Sequence, residues 1–239
     1  MKRYQLIILL LSLPTVLLSS CIFMGPAIRG EGEVKQQTRN ITNFGEVEVS
    51  RGLEVFLIPD TLEYVVVEAD ENLHDVILTE LKGKTLDIYT DKFIRSAKSR
   101  KIHVHFIHLS AVSSTSGSII RSENTIQSKR LNISASSGSR QTLDVNAGEF
   151  EGSCSSGAHI ELSGKARKAT LRASSGAHLK GDDFSAEVCE AKASSGAHIR
   201  TGVRQEFIAE ASSGGHIYYS GDPESTSFDS SSGGSIEKQ

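Results

Sequence analysis

Ser174-Ser175-Gly176-Ala177-His178-Leu179 sets a pattern that the chain repeats down its C-terminal half. Close copies are Ser155-Ser156-Gly157-Ala158-His159-Ile160, Ser194-Ser195-Gly196-Ala197-His198-Ile199 and Ser212-Ser213-Gly214-Gly215-His216-Ile217. Looser ones are Thr115-Ser116-Gly117-Ser118, Ser136-Ser137-Gly138-Ser139 and Ser231-Ser232-Gly233-Gly234. The seven glycines (117, 138, 157, 176, 196, 214, 233) are spaced by 21, 19, 19, 20, 18 and 19 residues. A unit of about 20 residues cannot enclose a core alone, so such repeats stack and bury their apolar faces on one another.

Residue parity separates strand from helix. From Leu171 to Leu179 the odd positions read Leu, Ala, Ser, Ala, Leu and the even ones Arg, Ser, Gly, His. That is the period-2 signature of a strand with one apolar face. About 20 residues at roughly 3.3 Å each fit three short strands with corners. The expected fold is all-β: a parallel, right-handed β-helix of about seven Ser-Gly coils, preceded by a β-rich capping region.

Stacking turns the repeats into columns. The serine before each glycine (116, 137, 156, 175, 195, 213, 232) has inward parity and predicts an interior hydroxyl ladder. Small residues form the neighbouring inward columns: Ala135, Cys154, Ala173, Ala193 and Ala211, then Ala158, Ala177 and Ala197. Large apolar fill falls to Ile133, Leu143, Phe150, Ile160, Leu162, Leu171, Leu179, Phe184, Ile199, Phe207, Ile217 and Phe228. Each repeat glycine is expected at a bend that a Cβ would obstruct. The pairs Ser156-Gly157, Ser175-Gly176, Ser195-Gly196 and Ser213-Gly214 are therefore structural.

Outside the repeats the chain divides into three stretches. Residues 1–21 carry a basic start, an apolar run from Leu6 to Leu18, and Leu18-Ser19-Ser20-Cys21. That is a secretory signal ending in a sequence similar to the bacterial lipobox, which implies cleavage before Cys21 and its lipidation. Residues 22–43 read as a flexible tether and 44–110 as the β-rich cap, with alternation at Glu46-Val47-Glu48-Val49 and Ile102-His103-Val104-His105-Phe106. The repeats fill 111–239, and 44–239 read as one continuous domain. A single helical turn is expected near Asp70–Leu73 and a hairpin around Lys82-Gly83-Lys84. No cap follows Ile236, so the last coil offers an edge for pairing with a second copy. Cys154 and Cys189 lie in different columns more than a coil apart, which favours two buried free thiols over a disulfide.

The formal charge of −3 and the lack of any basic cluster interleaved with aromatics exclude nucleic acid as a partner. The surface candidate is the column His159, His178, His198, His216, two residues after each glycine, with Arg140 extending it. At a rung spacing near 4.8 Å neighbouring imidazoles touch, and their protonation should be depressed and coupled. A solvated stack of neutral rings is the preferred reading; a flat row is not tetrahedral, so no metal or other cofactor is assigned. His103 and His105 read as solvated strand polarity.

An exported lipoprotein with Arg51-Gly52-Leu53-Glu54-Val55, then Val67-Glu68-Ala69-Asp70-Glu71-Asn72, then a Ser-Gly ladder resembles the auto-transporter adhesin, head GIN domain family (DUF2807 type) of Bacteroidetes-like lipoproteins. The resemblance spans about residues 44–236. It implies a β-helix-like fold at the cell envelope, an adhesive or structural role, and no catalytic residues to carry over; with the lipobox, the expectation is a lipid anchor at the outer membrane, on its periplasmic or surface face, and a glycan or protein as ligand. Two alternatives stay open. One is a polysaccharide lyase or hydrolase on the same scaffold, which needs clustered acids; Asp182-Asp183 occurs once, without counterparts in adjacent coils. The other is a metal-binding or purely structural spacer.

Overall fold

The computed structural model describes residues 27–239, so the leader, the lipobox and Cys21 lie outside the described residues. The chain is a β-solenoid of about seven turns. Its strands run in order as β1 (Ala27–Arg29), β2 (Val34–Arg39), β3 (Glu46–Val49), β4 (Glu54–Pro59), β5 (Tyr64–Asp70), β6 (Ile77–Lys82), β7 (Thr85–Thr90), β8 (Phe93–Ser96) and β9 (Arg100–Phe106). The coils follow as β10 (Ala111–Ser114), β11 (Ile119–Ser122), β12 (Ile126–Ala135), β13 (Arg140–Cys154), β14 (His159–Ala173), β15 (His178–Ala193), β16 (His198–Ala211), β17 (His216–Ser220), β18 (Ser225–Ser230) and β19 (Ser235–Lys238). All but β1 and β8, which pair with each other, belong to one 17-stranded sheet.

From β12 to β19 every pairing is parallel and joins successive repeats: Ala135 to Cys154, Cys154 to Ala173, Ala173 to Ala193, Ala193 to Ala211. The expectation of three short strands per coil is corrected. Each of β13 to β16 is a single strand of 14–16 residues that bends without breaking. The bend is absorbed by slips of register, between Glu161 and Ser163 and between Gly181 and Ser185. A bulge kinks a strand while keeping most of its ladder, so the corner needs no loop. Gly164 sits at this corner with φ +100°, where a Cβ would lie 2.1 Å from the Val145 carbonyl oxygen.

The one true turn in each coil is the Ser-Gly pair. Ser175 and Gly176 have φ of 53° and 67°, and the Ala177 N–H donates to the Ser174 carbonyl at 3.2 Å. Two successive left-handed residues closed by this bond make a primed hairpin-type turn. The same positive φ pair occurs at Ser116-Gly117, Ser137-Gly138, Ser156-Gly157, Ser195-Gly196, Ser213-Gly214 and Ser232-Gly233. This overturns two expectations. The serine column is exposed, not interior, because parity holds only while the backbone is extended. The glycines also meet nothing within 4 Å of a virtual Cβ, so backbone conformation and not space selects them. The ladder between turns exists, but in the backbone: Gly157 N–H donates to the Ser175 carbonyl at 3.1 Å and Gly176 N–H to the Ser195 carbonyl at 3.0 Å.

Inside, the small columns lie where parity puts them: Ala158, Ala177 and Ala197 are inaccessible and Ala173, Ala193 and Cys154 nearly so. The aromatic and aliphatic fill is buried from Ile133 to Ile217, but Phe228 is 43 % exposed on β18, which no coil covers among the described residues. In the first coils serines replace the alanines. Ser114 Oγ donates to Ser139 Oγ at 2.9 Å, and Gln141 Nε2 donates to Ser114 Oγ at 2.9 Å, so these buried polar groups bond one another. Cys154 and Cys189 are buried free thiols, and burial pushes both up to about 12.

The N-terminal strands are woven into the stack. β3 pairs in parallel with β10 on one side and β7 on the other; β4 does the same with β11 and β9. Between β3 and β4, Arg51 and Gly52 have φ of 61° and 73°, so this is an eighth copy of the repeat turn without its serine. The stack therefore continues across residue 110 in space. Beyond it, β5 lies antiparallel between β2 and β9, and β6 lies antiparallel to β7 through the turn at Gly83. A 3-10 turn covers Glu71–Leu73. The tether expectation for 22–43 is corrected for residues 27–39, which contain β1 and β2. Their polar side chains hide specific bonds: Arg39 donates to the carbonyls of Ile77 at 2.7 Å and His74 at 2.8 Å, and Asn72 donates to the Arg29 carbonyl at 2.8 Å.

Candidate functional site

The parallel register places His159 opposite His178, His178 opposite His198, and His198 opposite His216. Ring centroids are 5.0, 4.9 and 5.0 Å apart, with interplanar angles of 7°, 6° and 21°. This spacing is the strand separation itself, so identical side chains on consecutive rungs stack by necessity. Arg140 continues the row at one end through its pairing with His159. At the other, His216 Nδ1 and Ser235 Oγ hydrogen-bond at 2.7 Å.

All four rings are half-buried. Burial lowers the proton affinity of His178, followed by the charges of His159 and Lys180. Burial again lowers His198, followed by His178, His216 and Arg200. The central imidazoles thus resist protonation because a charge there is desolvated and sits among other cations. Parallel ring planes do not converge on a common point. Among the described residues no group of three or more His, Cys, Asp or Glu side chains comes together to hold a metal ion.

Two residues further along each strand, a second outward column runs Thr142, Glu161, Lys180, Arg200, Tyr218, Glu237. Sequence reasoning passed over it, because its residue types vary from coil to coil. Its pieces engage one another: the Arg200 guanidinium lies 5.5 Å from the Tyr218 ring centroid, within cation–π range. The same face extends into the N-terminal strands, where His103 stacks on Phe56 at 5.1 Å and His105 on Tyr64 at 4.0 Å. His105 Nδ1 also lies 2.8 Å from Asp60 Oδ2, and that bond holds the Asp60 carboxyl below its usual range. The solvated reading of these two histidines is therefore corrected: each is packed flat on an aromatic neighbour. The face carries imidazoles, cations and aromatics in ranks, with a concavity of about 270 Å³ where Arg121, Arg140, His159, His178 and Lys180 meet. Asp182 and Asp183 lie exposed on β15, where Asp182 Oδ1 is 3.6 Å from Arg200 Nη1 of the companion column.

The family model described as "Putative auto-transporter adhesin, head GIN domain" (DUF2807) matches residues 43–223. The chain belongs to this family. Among solved structures, a putative adhesin from Bacteroides fragilis superposes on the head GIN chain with a TM-score of 0.83 at 17 % identity, covering 89 % of this chain and all of its own. A putative adhesin from Parabacteroides merdae gives 0.73 at 14 % over 90 % of this chain and all of its own. A protein from Parabacteroides distasonis described as a putative lipid binding protein gives 0.69 at 21 %, again over 90 % of this chain and all of its own. At these identities the likeness is one of fold. A search of curated proteins returns no match. Head GIN membership sets the coarse functional class: a binding protein of adhesin type, at the surface or envelope of the cell.

Proposed function

We propose that this head GIN chain is a lipid-anchored, non-catalytic module that presents its histidine-bearing face to a glycan or protein at the outer membrane. The observation that carries the reading is the four-rung imidazole row with its companion column of charged and aromatic side chains, repeating at the strand spacing. Such a face can engage a long or repetitive ligand at several equivalent points, which raises avidity without a deep pocket. It offers neither a paired-acid cleft nor a nucleophile with a base. Cys21 would hold the chain to the membrane as a lipidated cysteine.

The test uses intact cells. Protease added outside should release the chain, and Cys21→Ser should abolish fatty-acid labelling and shift the protein to the soluble fraction. Replacing His159, His178, His198 and His216 together with Ala should lower attachment of expressing cells to a glycan- or protein-coated surface at least several-fold at unchanged display. Protection from external protease, or unchanged attachment of the four-His variant, would overturn the reading.

A further inference from the structure

A broad concavity lies away from the histidine face, at the bent corner of the first coils. It is a groove of about 1170 Å³, between the loop carrying Leu109 and the strands β12 to β14. Its floor is made of small or buried residues. Leu109 and Ala147 are nearly inaccessible, and Gly148 presents no side chain. The absence is enforced, because a Cβ at Gly148 would come within 2.7 Å of the Lys129 carbonyl oxygen. In register, Gly148 falls between Lys129 on one neighbouring strand and Arg167 on the other. Two cations two rungs apart, roughly 10 Å by strand spacing, thus flank a bare floor.

The other wall groups are also polar. Gln127 and Asn146 are register partners and line the groove with their amides. Arg130 does not add a free charge, because its Nε donates to Glu149 Oε2 at 2.9 Å. Glu149 is the only acid in the lining. Arg130 holds its carboxyl below the usual range, and Lys168 and Arg167 pull in the same direction, so the local field is positive. Lys129 and Arg167 are left exposed and without an acidic partner within salt-bridge distance among the described residues. A positive groove on a chain of net charge −3 is a local arrangement, not a reflection of composition.

We propose that this groove binds an acidic oligosaccharide, with Lys129 and Arg167 each taking one carboxylate or sulfate and Gln127 and Asn146 bonding the hydroxyls between them. The two-rung separation is close to the length of a disaccharide in an extended chain, so anionic groups repeating along a sugar polymer match the two cations. The apolar floor accepts the face of a sugar ring, and the amides supply the neutral donors and acceptors that hydroxyls need. A guanidinium takes a carboxylate or sulfate in bidentate fashion, and an ammonium takes it as a point charge. The inference rests on the reading of the chain as a binding module, but it places the sugar at a different surface from the histidine row.

The experiment titrates the full-length protein with three probes: an oligogalacturonate, a heparin-derived oligosaccharide and a neutral malto-oligosaccharide. A single-stranded oligonucleotide of matched charge serves as a fourth arm. The variants are K129E/R167E and, as a control with the same charge change on the N-terminal cap, K84E/K92E. The expected result is binding of at least one acidic sugar, weakened tenfold or more by K129E/R167E and less than twofold by K84E/K92E. Binding of the acidic sugar should fall with added salt, and the neutral sugar should bind at least tenfold more weakly. Galacturonate against heparin tells carboxylate from sulfate recognition. No binding of either acidic sugar, equal loss in both variants, or an oligonucleotide bound as tightly as the sugar would each overturn the proposal. If the cell-attachment test succeeds while these titrations fail, only the groove assignment falls.

Discussion

The N-terminal layers and the regular coils of this solenoid have the same job and do it with different means. In β12 to β19 each strand pairs with its neighbours in sequence, about one repeat away, and the inner wall beside the turn is lined with alanines. Among β3 to β9, only β6 and β7 form a local hairpin, and the other partners are remote: Glu54 pairs with Ile119, 65 residues on, and β5 reverses direction against β9. The core there is built from Leu53, Leu57, Leu73, Ile77, Leu86 and Ile102, all inaccessible. Both ends of a stack expose unpaired backbone. The N-terminal end is closed by antiparallel strands, whereas β18 at the other end is exposed along its whole length. Closing an end therefore requires leaving the repeat, because a repeat always presents the same open edge.

That contrast can be broken by mutation, and the largest effects should come from truncating buried core side chains on either side of it. Leu57→Ala should cost about 2–5 kcal/mol, since a fully buried leucine leaves a cavity. Because β4 touches both β9 and β11, its loss should lower hydrogen-exchange protection across the N-terminal layers and the first coils. Phe207→Ala, of similar size, should loosen β16 to β19 and leave β4 protected, as nearest-neighbour coupling demands. Equal loss of protection everywhere in both variants would show that the two regions unfold as one.

The corner and turn glycines should separate next. Gly164→Ala must push its Cβ away from a carbonyl oxygen, and should cost about 3 kcal/mol, near the top of the overpacking range. Gly176→Ala meets open space and should cost only the left-handed strain, about 1 kcal/mol. Urea midpoints of the two variants measure the gap. The serine beside the turn glycine points to a gain: Ser175→Asn should add up to about 1 kcal/mol, because Asn tolerates the first position of a primed turn better than Ser.

The smallest effect should be that of pH on the histidine row. His178 and His198 are held below their ordinary 6.5 in the folded chain. The unfolded chain then takes up protons first, so stability is complete above about pH 6.5 and falls as the pH drops below it. The lowered carboxylates start from 3.8 for Asp60 and 4.5 for Glu68, so they titrate beneath this window. The melting temperature should be lower at pH 5 than at pH 7.5, and His178→Gln with His198→Gln should narrow the difference. Superimposable wild-type melting curves at the two values would remove the row's electrostatic coupling.

The candidate surface was legible to the degree that its residues repeat. A histidine at the same offset in four copies announces a spatial row, and the rings do stack. The companion column and the Phe56–His103 and Tyr64–His105 stacks carry different residue types on each rung, so nothing marks them in the sequence. The basic groove is less visible still: Lys129 and Arg167 are far apart along the chain and share a site only through register.

The sequence by itself determined the coil period, the strand character, the buried small columns, the free thiols and the histidine row. Each of these follows from local alternation multiplied by repetition, which fixes neighbours without knowledge of distant segments. Tertiary structure alone decided that the serines sit outside in left-handed turns, that one bent strand replaces three short ones, and that β2 and Arg51-Gly52 join the stack. Parity ends where the backbone leaves the extended region, and pairing between non-repeating strands depends on which edges remain free once the coils have formed.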